Sequence, residues 1–337
     1  GKSWRSLMNA NKTTVSLLAT EDRTSGIGPC IDALGINPVT NKNVLIKPNF
    51  NTADPAPGST HNDTLVALVK KVWDMGAKSI KIGERSFPLT SRVMEQKGIL
   101  PLLKDLDVDV VDFDTLDKKD WVKINPADTH WQDGFRVARP VMDAECLIST
   151  GCLKTHQFGG VFTLSLKLHV GVVPTTRHGF DYMTELHTSA HQNRLIAEIN
   201  QPFKPDLVLI DGIDAFVDGG PATGQRVKGN LLLAATDRVA MDAVGVAALK
   251  MLGSNQTIMQ TRIFDHAQIA RAAEIGIGVG SVEQIELVPA TQDSQPIRDK
   301  VIAQFCQSQR IQDRTQRAAR SPGLHRMSPG HHTGRFC

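Results

Sequence analysis

The feature that most constrains the fold of this chain is an alternation of short apolar runs with segments of helical periodicity. Four runs in the first half have the length and composition of buried strands, and they lie at 13–20, 43–50, 79–85 and 108–114. Helical segments separate them, and the clearest of these, 60–77, places its apolar residues on one face. This order predicts a layered α/β fold, in which helices flank a largely parallel sheet.

The second half of the chain continues the same alternation. Its apolar runs lie at 144–150, 206–213, 230–236 and 284–290. Helices are predicted between and after them, at 160–173, 185–200, 237–253 and 264–278. We therefore expect one α/β body over residues 1–290, which can divide into two α/β halves, 13–143 and 144–290, with a cleft between them.

The composition changes beyond residue 290, where Gln, Arg, Ser, Pro and His predominate without periodicity. We predict a basic, low-complexity and mobile tail over 291–337. This segment contains eight Arg and Lys against three Asp, although the whole chain has a net charge of only +3. The body therefore carries 30 basic and 32 acidic side chains, a balance that gives no electrostatic reason to expect nucleic acid as a partner.

The five cysteines include no Cys-x-x-Cys pair, and they are Cys30, Cys146, Cys152, Cys306 and Cys337. This spacing disfavours a disulfide framework, a zinc ribbon and a self-contained ferredoxin-type cluster. Cys146 and Cys152 lie six residues apart and could approach each other or a metal.

The composition, 41% hydrophobic and 22% charged, is typical of a soluble globular protein. No run of 18 apolar residues occurs, so we expect no membrane span. The first residues contain no apolar signal core, which favours a cytoplasmic location, with a removed export signal as the alternative. The oligomeric state is not predicted.

Polar residues follow the predicted strands at five places, and ligands of open α/β sheets bind beyond the carboxyl ends of strands. The five segments are "KPNFN", "GERS", "GCLKTH", "DGIDAFVDGGPATG" and "TDRVAMD". Lys47 and Asn49 lie in the first, and His61 begins the next helix, where free N–H groups attract anions. We predict that the substrate is bound by Lys47, Asn49, His61, Arg177, Gly219 and Gly220.

The strongest catalytic candidates surround a glycine pair after the strand at 144–150. Lys154 and His156 follow this strand directly, and Gly159 and Gly160 leave room for a ligand to approach the backbone. Lys167 lies in an otherwise apolar segment, so it needs a counter-charge or its pKa falls. We predict that these two lysines and His156 are catalytic.

Two further groups suggest metal or proton chemistry. His187 precedes His191 by four residues, and this spacing on a helix can chelate a divalent metal; we also predict that His187 is catalytic. Asp211, Asp214 and Asp218 follow a buried strand, and carboxylates suit Mg²⁺ or Ca²⁺. We therefore predict a divalent metal site at the three aspartates, with turn capping as the alternative.

Five blocks of the sequence, in order, resemble the domain of unknown function 362 family. They are "VLIKPNFN", "STHNDTLVALVKKVWDMGAKSIKIGE", "LISTGCLKTHQFGGVFTLSLKLHVGVV", "LVLIDGIDAFVDGGPATG" and "LLLAATDRVAMDAVG", within about residues 43–253. Many members carry a ferredoxin-like module, so the resemblance implies an iron–sulfur cofactor, although this chain lacks the module. At the level of fold, the chain is also similar to the nickel-pincer lactate racemase class, in which a lysine and histidines surround a cofactor.

These observations favour an α/β enzyme that binds a small carboxylate or phosphate in a cleft lined by Lys, His and Asp. The lysines and Arg177 would neutralise the anion, His156 or His187 would transfer protons, and the aspartates would hold a metal if one is needed. One alternative is a non-catalytic iron–sulfur or metal-carrying redox protein that uses Cys146 and Cys152. Another is a module that binds a ligand without chemistry.

Overall fold

A computed structural model describes residues 12–305 and shows the predicted alternation of strands and helices. The strands are β1 (Thr13–Ala19), β2 (Asn43–Lys47), β3 (Ser79–Glu84), β4 (Asp109–Asp112), β5 (Trp121–Ile124), β6 (Phe135–Ala138), β7 (Cys146–His156), β8 (Val161–Thr163), β9 (Leu207–Gly219), β10 (Gly224–Ala235) and β11 (Ile285–Pro289).

In the described part of the chain, six helices have eight or more residues and the others are shorter. They are α1 (Arg23–Asp32), α2 (Asn62–Asp74), α3 (Thr90–Gln96), α4 (Ile99–Asp105), α5 (Arg139–Met142), α6 (Ser165–Leu168), α7 (Tyr182–Thr188), α8 (Gln192–Ile199), α9 (Arg238–Met251), α10 (Gln256–Gln260), α11 (Ala267–Glu274) and α12, which covers residues 295–305. Among residues 12–305, no helix has the length and apolar character that a membrane crossing requires.

Nine of the strands form one sheet in the order β11-β1-β10-β9-β7-β2-β3-β4, with β8 paired to β7. Five neighbouring pairs are parallel, while β1–β10, β9–β10 and β7–β8 are antiparallel. The predicted largely parallel α/β architecture is therefore confirmed. The two predicted halves share this sheet, because β7 pairs with β2 and β1 pairs with both β10 and β11.

The sheet is covered by helices on both faces. Successive residues of a strand point to opposite faces, so Leu231 and Leu233 of β10 pack in the same core cluster as the apolar residues of α9. Leu232 belongs to the core on the other face, which contains the buried residues of α1 and α2.

Helix α2 forms as its sequence pattern predicts. Leu65, Leu68 and Val69 are all completely buried, which accounts for their helical spacing. The helix begins after His61, whose Nδ1 accepts a hydrogen bond from the Asp63 N–H at 3.0 Å.

Two predicted helices are interrupted. The segment 160–173 forms β8, then α6, then a 3₁₀ turn at His169–Val172. The strand forms first because the β-branched and aromatic residues at 161–163 pair with the end of β7. The segment 185–200 forms the last part of α7 and all of α8, with a break after Thr188.

The body extends further than the sequence indicated. Residues 291–305, which we expected to belong to the tail, form a 3₁₀ turn at Gln292–Ser294 and then α12. Val301 is completely buried, and Phe305 packs in the same core cluster as Leu287 of β11. Apolar residues at helical spacing in α12 therefore attach this segment to the sheet. The rest of the predicted tail, with Cys306 and Cys337, lies outside the described residues.

Candidate functional site

A cavity with a volume of about 600 Å³ opens beyond the carboxyl ends of β2, β3 and β7. Both predicted halves contribute to its lining. The structure brings seven of the predicted site residues to it: Lys47, Asn49, Lys154, His156, Lys167, Arg177 and His187. The position agrees with the rule that ligands of α/β sheets bind at this edge.

Strand β7 reaches six residues beyond its predicted end and carries two of the candidates into the cavity. Lys154 lies opposite Thr163 of β8, and His156 lies opposite Val161. Because residues two apart share one face of a strand, Lys154 and His156 point to the same side. The sequence did not predict this extension, because the polar residues "KTH" at 154–156 are typical of a loop.

Lys154 is 1% exposed and lies at the cavity wall. Its Nζ donates to the carbonyl oxygens of Gly58 at 2.7 Å and Pro221 at 3.3 Å. Burial lowers the pKa of this ammonium, and within residues 12–305 no carboxylate lies within 4.0 Å of it. The two carbonyls hold the protonated form in place without neutralising its charge.

Lys167 is 7% exposed and lies in α6. Its Nζ has no hydrogen bond or ion pair with any residue that the structure describes. Burial, followed by the charges of Lys154 and Arg85, lowers the pKa of this lysine to about 8. Gly160 makes room for the side chain, because a Cβ there would lie 2.6 Å from Lys167 Cε.

Asp242 of α9 fixes the start of α6 and thereby the position of Lys167. One carboxylate oxygen accepts from the Ser165 N–H at 2.8 Å and from the Ser165 hydroxyl at 2.5 Å, and the other accepts from the Leu166 N–H at 3.1 Å. Burial raises the pKa of Asp242 to about 7. No local sequence signal indicates this contact, because residues 165 and 242 are distant in the chain.

His156 lines the cavity as a neutral imidazole. Its Nδ1 accepts from the Phe158 N–H at 3.3 Å, which places the ring proton on Nε2. Burial, followed by the charges of Lys167 and Lys154, lowers its pKa to about 2. This low pKa favours the neutral form of His156 near pH 7 in the unliganded protein, and its catalytic role stays a prediction.

His187 lies at the exposed mouth of the cavity, and its Nδ1–H donates to the carbonyl of Met183 at 2.6 Å. His191 belongs to the break between α7 and α8, and its ring lies beside that of His130 in a tilted arrangement, with the centroids 5.0 Å apart. The two histidines are therefore not on one helix, and the chelating pair expected from their spacing does not form.

Lys47 has an internal counter-charge. Its Nζ lies 2.7 Å from Oε1 of Glu84, and both side chains are buried. The Glu84 carboxylate also accepts from the N–H groups of Phe50 and Arg85. Burial lowers the pKa of Lys47 and raises that of Glu84, while the ion pair opposes both shifts. Glu84 and Arg85 were not among the predicted site residues, although the "GERS" segment was.

Arg85 adds a buried guanidinium to the lining. Its guanidinium donates to the carbonyls of Val173 at 2.9 Å and Val170 at 2.6 Å. Burial lowers its pKa to about 10, so it remains protonated at neutral pH.

Arg177, in contrast, is paired with Asp114 at 2.6 Å. Burial alone would raise the pKa of Asp114, but hydrogen bonds from His178 and Arg177 hold it well below its usual range. Arg177 therefore lines the cavity with its charge already neutralised.

Three predicted binding residues lie outside the cavity lining. His61 caps α2, as described above. Gly219 and Gly220 form a turn beside the cavity with positive φ angles of 74° and 78°. A Cβ on Gly220 would collide with the carbonyl of Thr155, so this position requires glycine. The two glycines shape the turn that brings the Pro221 carbonyl to Lys154.

The three aspartates do not form the predicted metal site. Asp211 pairs with Arg23 at 2.6 Å, and Asp214 pairs with Arg23 at 3.0 Å and with Lys228 at 2.8 Å. Asp218 is exposed and accepts from Asn255. In the described part of the chain, no group of three or more His, Cys, Asp or Glu side chains is arranged to hold a metal ion.

The cysteines do not support a shared metal or cluster either. Cys146 and Cys152 lie six residues apart on β7, a distance of about 20 Å along a strand. Both are free and buried, and burial raises their pKa values to about 12 and about 11. The residues at 12–305 therefore do not fit the iron–sulfur cofactor that the family resemblance implies.

Fold and site together define a mixed α/β protein with a cation-lined cavity at the carboxyl edge of its sheet. The sequence profile of the domain of unknown function DUF362 matches residues 44–247, which is more than half of the chain. The chain belongs to the DUF362 family.

Known proteins that are similar to this chain include a cyanobacterial protein and a bacterial enzyme apoprotein. The thylakoid-associated protein sll1697 of Synechocystis sp. is 28% identical over 204 residues, which are 60% of this chain and 61% of that protein. The chain thus matches about three-fifths of the length of this relative. The lactate racemase apoprotein from Thermoanaerobacterium thermosaccharolyticum has 13% identity and a TM-score of 0.44, with 69% of this chain and 57% of that chain covered. This structural likeness is too remote to bear on function.

Proposed function

We propose that this chain is an enzyme that binds a small organic anion in the 600 Å³ cavity and performs acid–base chemistry on it. The observation that carries the proposal is a set of three buried cations, Arg85, Lys154 and Lys167, none of which has a carboxylate partner in the described part of the chain. Buried charges are costly when unpaired, so a bound anion would recover part of that cost.

Lys154 and Arg85 suit a carboxylate or a phosphate. Lys154 presents a point charge held by backbone carbonyls, and Arg85 has five N–H donors, of which Val170 and Val173 use only some. Asn49 and Thr163 also line the cavity and add uncharged hydrogen-bonding groups. Charge-assisted hydrogen bonds of this kind are stronger than neutral ones.

Lys167 is the group that we propose for proton transfer. A general base works best when its pKa lies near the working pH, and the pKa of Lys167 is about 8. His156, with a pKa of about 2, serves instead as a neutral hydrogen-bonding group. This assignment replaces the histidine roles that the sequence suggested.

Calorimetric titration of the purified protein with acetate, pyruvate, malonate and phosphate tests the proposal. We expect at least one of these anions to bind, and acetamide, a neutral comparison, not to bind. Lys154→Met should weaken binding roughly tenfold or more, because it removes a charge-assisted contact. Lys70→Met, at an exposed lysine of α2, should have no effect. If no anion binds, or if both variants bind equally well, the proposal is wrong.

A further inference from the structure

We propose that the Lys167 amine forms an imine with the carbonyl carbon of a small 2-oxo acid, whose carboxylate is bound by Lys154 and Arg85. The inference rests on the proposed anion site and names its substrate class. It assigns the cavity a covalent step that simple anion binding does not require.

The three lysines of the cavity lining differ in the partners of their Nζ atoms. Lys47 is bound to Glu84 at 2.7 Å, and Lys154 donates to two carbonyl oxygens. Both amines therefore have acceptors that hold them in place. Lys167 lines the same cavity and has no hydrogen-bond or ion-pair partner within residues 12–305. Among these three lysines, it is the one free to lose its proton and act as a nucleophile.

The surroundings of Lys167 also favour the free amine. Burial and the neighbouring cations Lys154 and Arg85 disfavour the charged form, and its pKa is about 8. At pH 7.5 roughly a quarter of such amines are unprotonated, against roughly 0.1% for an ordinary lysine. Desolvation and a second cation are the conditions under which lysines form imines with carbonyl compounds.

Groups that can assist the reaction lie beside Lys167. A Cβ on Gly160 would lie 2.6 Å from Lys167 Cε and 3.2 Å from His156 Nδ1, so both side chains pack against the same glycine. The Thr163 hydroxyl lines the cavity and has no hydrogen-bond partner in the described structure, although it is buried. A buried polar atom of this kind usually has a partner, and the oxygen of a bound carbonyl group would provide one.

The step is balanced without an oxidant or a reductant. The lone pair of Lys167 Nζ attacks the carbonyl carbon, a carbon–nitrogen bond forms as the carbon–oxygen π bond breaks, and one proton passes from the nitrogen to the oxygen. The resulting carbinolamine loses its hydroxyl group with one further proton as water, which leaves the carbon–nitrogen double bond. We assign His156 Nε2–H and the Thr163 hydroxyl as hydrogen-bond donors to the oxygen of the carbonyl group during this step.

Borohydride trapping tests this inference. The full chain is incubated with pyruvate, reduced with sodium borohydride, and analysed by intact mass spectrometry and peptide mapping. We expect the mass gain of one reduced pyruvate, located at Lys167. Lys167→Met should abolish it, and Lys70→Met should leave it unchanged. Lys154→Met should reduce it roughly tenfold, since the carboxylate loses one of its two cations.

Further controls separate this inference from the proposal on which it depends. Lys167→Arg keeps the positive charge but cannot form an imine, so this variant should still bind pyruvate in the titration and remain unlabelled. Acetone, which lacks the carboxylate, should label the protein far less than pyruvate does. Pyruvate binding without trapping at Lys167, or labelling spread over exposed lysines, overturns the imine alone. If no anion binds at all, both proposals fail.

Discussion

At the scale of single residues, the cavity shows how neighbours decide the chemistry of one residue type. Lys47 and Lys167 are both buried lysines. Lys47 has Glu84 as its counter-charge, whereas the charged groups that act on Lys167 in residues 12–305 are the cations Lys154 and Arg85. The first is a neutralised ion pair that supports the edge of the sheet, and the second carries a charge whose burial costs folding free energy.

Replacement of Lys167 by Met should stabilise the unliganded protein at pH 7. The pKa of this lysine falls from 10.5 to about 8 on folding, which corresponds to a cost of up to about 3 kcal/mol. The cost is fully present below pH 8 and is relieved as the pH rises from 8 to 10.5, because the unfolded chain then holds the proton that the folded one has lost. Urea unfolding of both proteins measures the difference, which should be largest at pH 7.

Urea unfolding of the same two proteins at pH 10 provides the control for this prediction. The advantage of Lys167→Met should be much smaller there, and Lys70→Met should change stability little at either pH. The prediction is wrong if Lys167→Met is less stable than the wild type at pH 7. It is also wrong if the variant gains the same free energy of unfolding at pH 7 and at pH 10.

At the scale of secondary-structure elements, the end of β7 and the short elements β8 and α6 position the side chains of the site. Strand β7 continues to His156, and β8 and α6 follow within twelve residues. The apolar spacing over 160–173 fits one helix as well as it fits a short strand and a short helix, so periodicity alone could not separate the two. Residues 161–163 form a strand because they pair with β7, and α6 begins at Ser165 because the Asp242 carboxylate accepts hydrogen bonds there.

Asp242→Asn should therefore disturb both the fold and the site. The amide would keep one acceptor but place an N–H₂ group against a backbone N–H of α6. We expect a loss of about 1–3 kcal/mol in the free energy of unfolding, and slower borohydride trapping at Lys167. Denaturant titration and the trapping rate measure the two effects. Asp265→Asn, at an exposed position, is the control, and equal behaviour of the two variants would contradict the positioning role of Asp242.

At the scale of the whole molecule, a single sheet joins distant parts of the chain. Strand β1 pairs with β10 and β11, and α12 packs beside them through Val301. The cavity lies at the carboxyl edge of the same sheet, where both predicted halves meet. The last described helix thus contributes to the core that supports the cavity.

Val301→Ala tests whether α12 is part of the folded body. Val301 is completely buried, and its truncation should cost about 1–3 kcal/mol through lost burial and the resulting cavity. Lys300→Ala, at the neighbouring exposed position, should change stability little. Thermal and urea unfolding measure the difference. If the two variants prove equally stable, then α12 does not contribute to the core.

The sequence by itself determined the α/β class, most of the strands, and the segments that end at the cavity. These follow from apolar periodicity and from the position of polar residues after strands, which are local properties of the chain. Lys47, Lys154, His156 and Lys167 were therefore predicted without coordinates, and all four line the cavity.

Only the tertiary structure decided which polar groups are paired with one another. It assigned Asp211 and Asp214 to Arg23, placed Glu84 beside Lys47, and left Lys167 without a partner in the described chain. Such pairings join residues that are tens to hundreds of positions apart, and burial then sets their pKa values. Charge and proton affinity depend on neighbours in space, and no local pattern in a sequence records those neighbours.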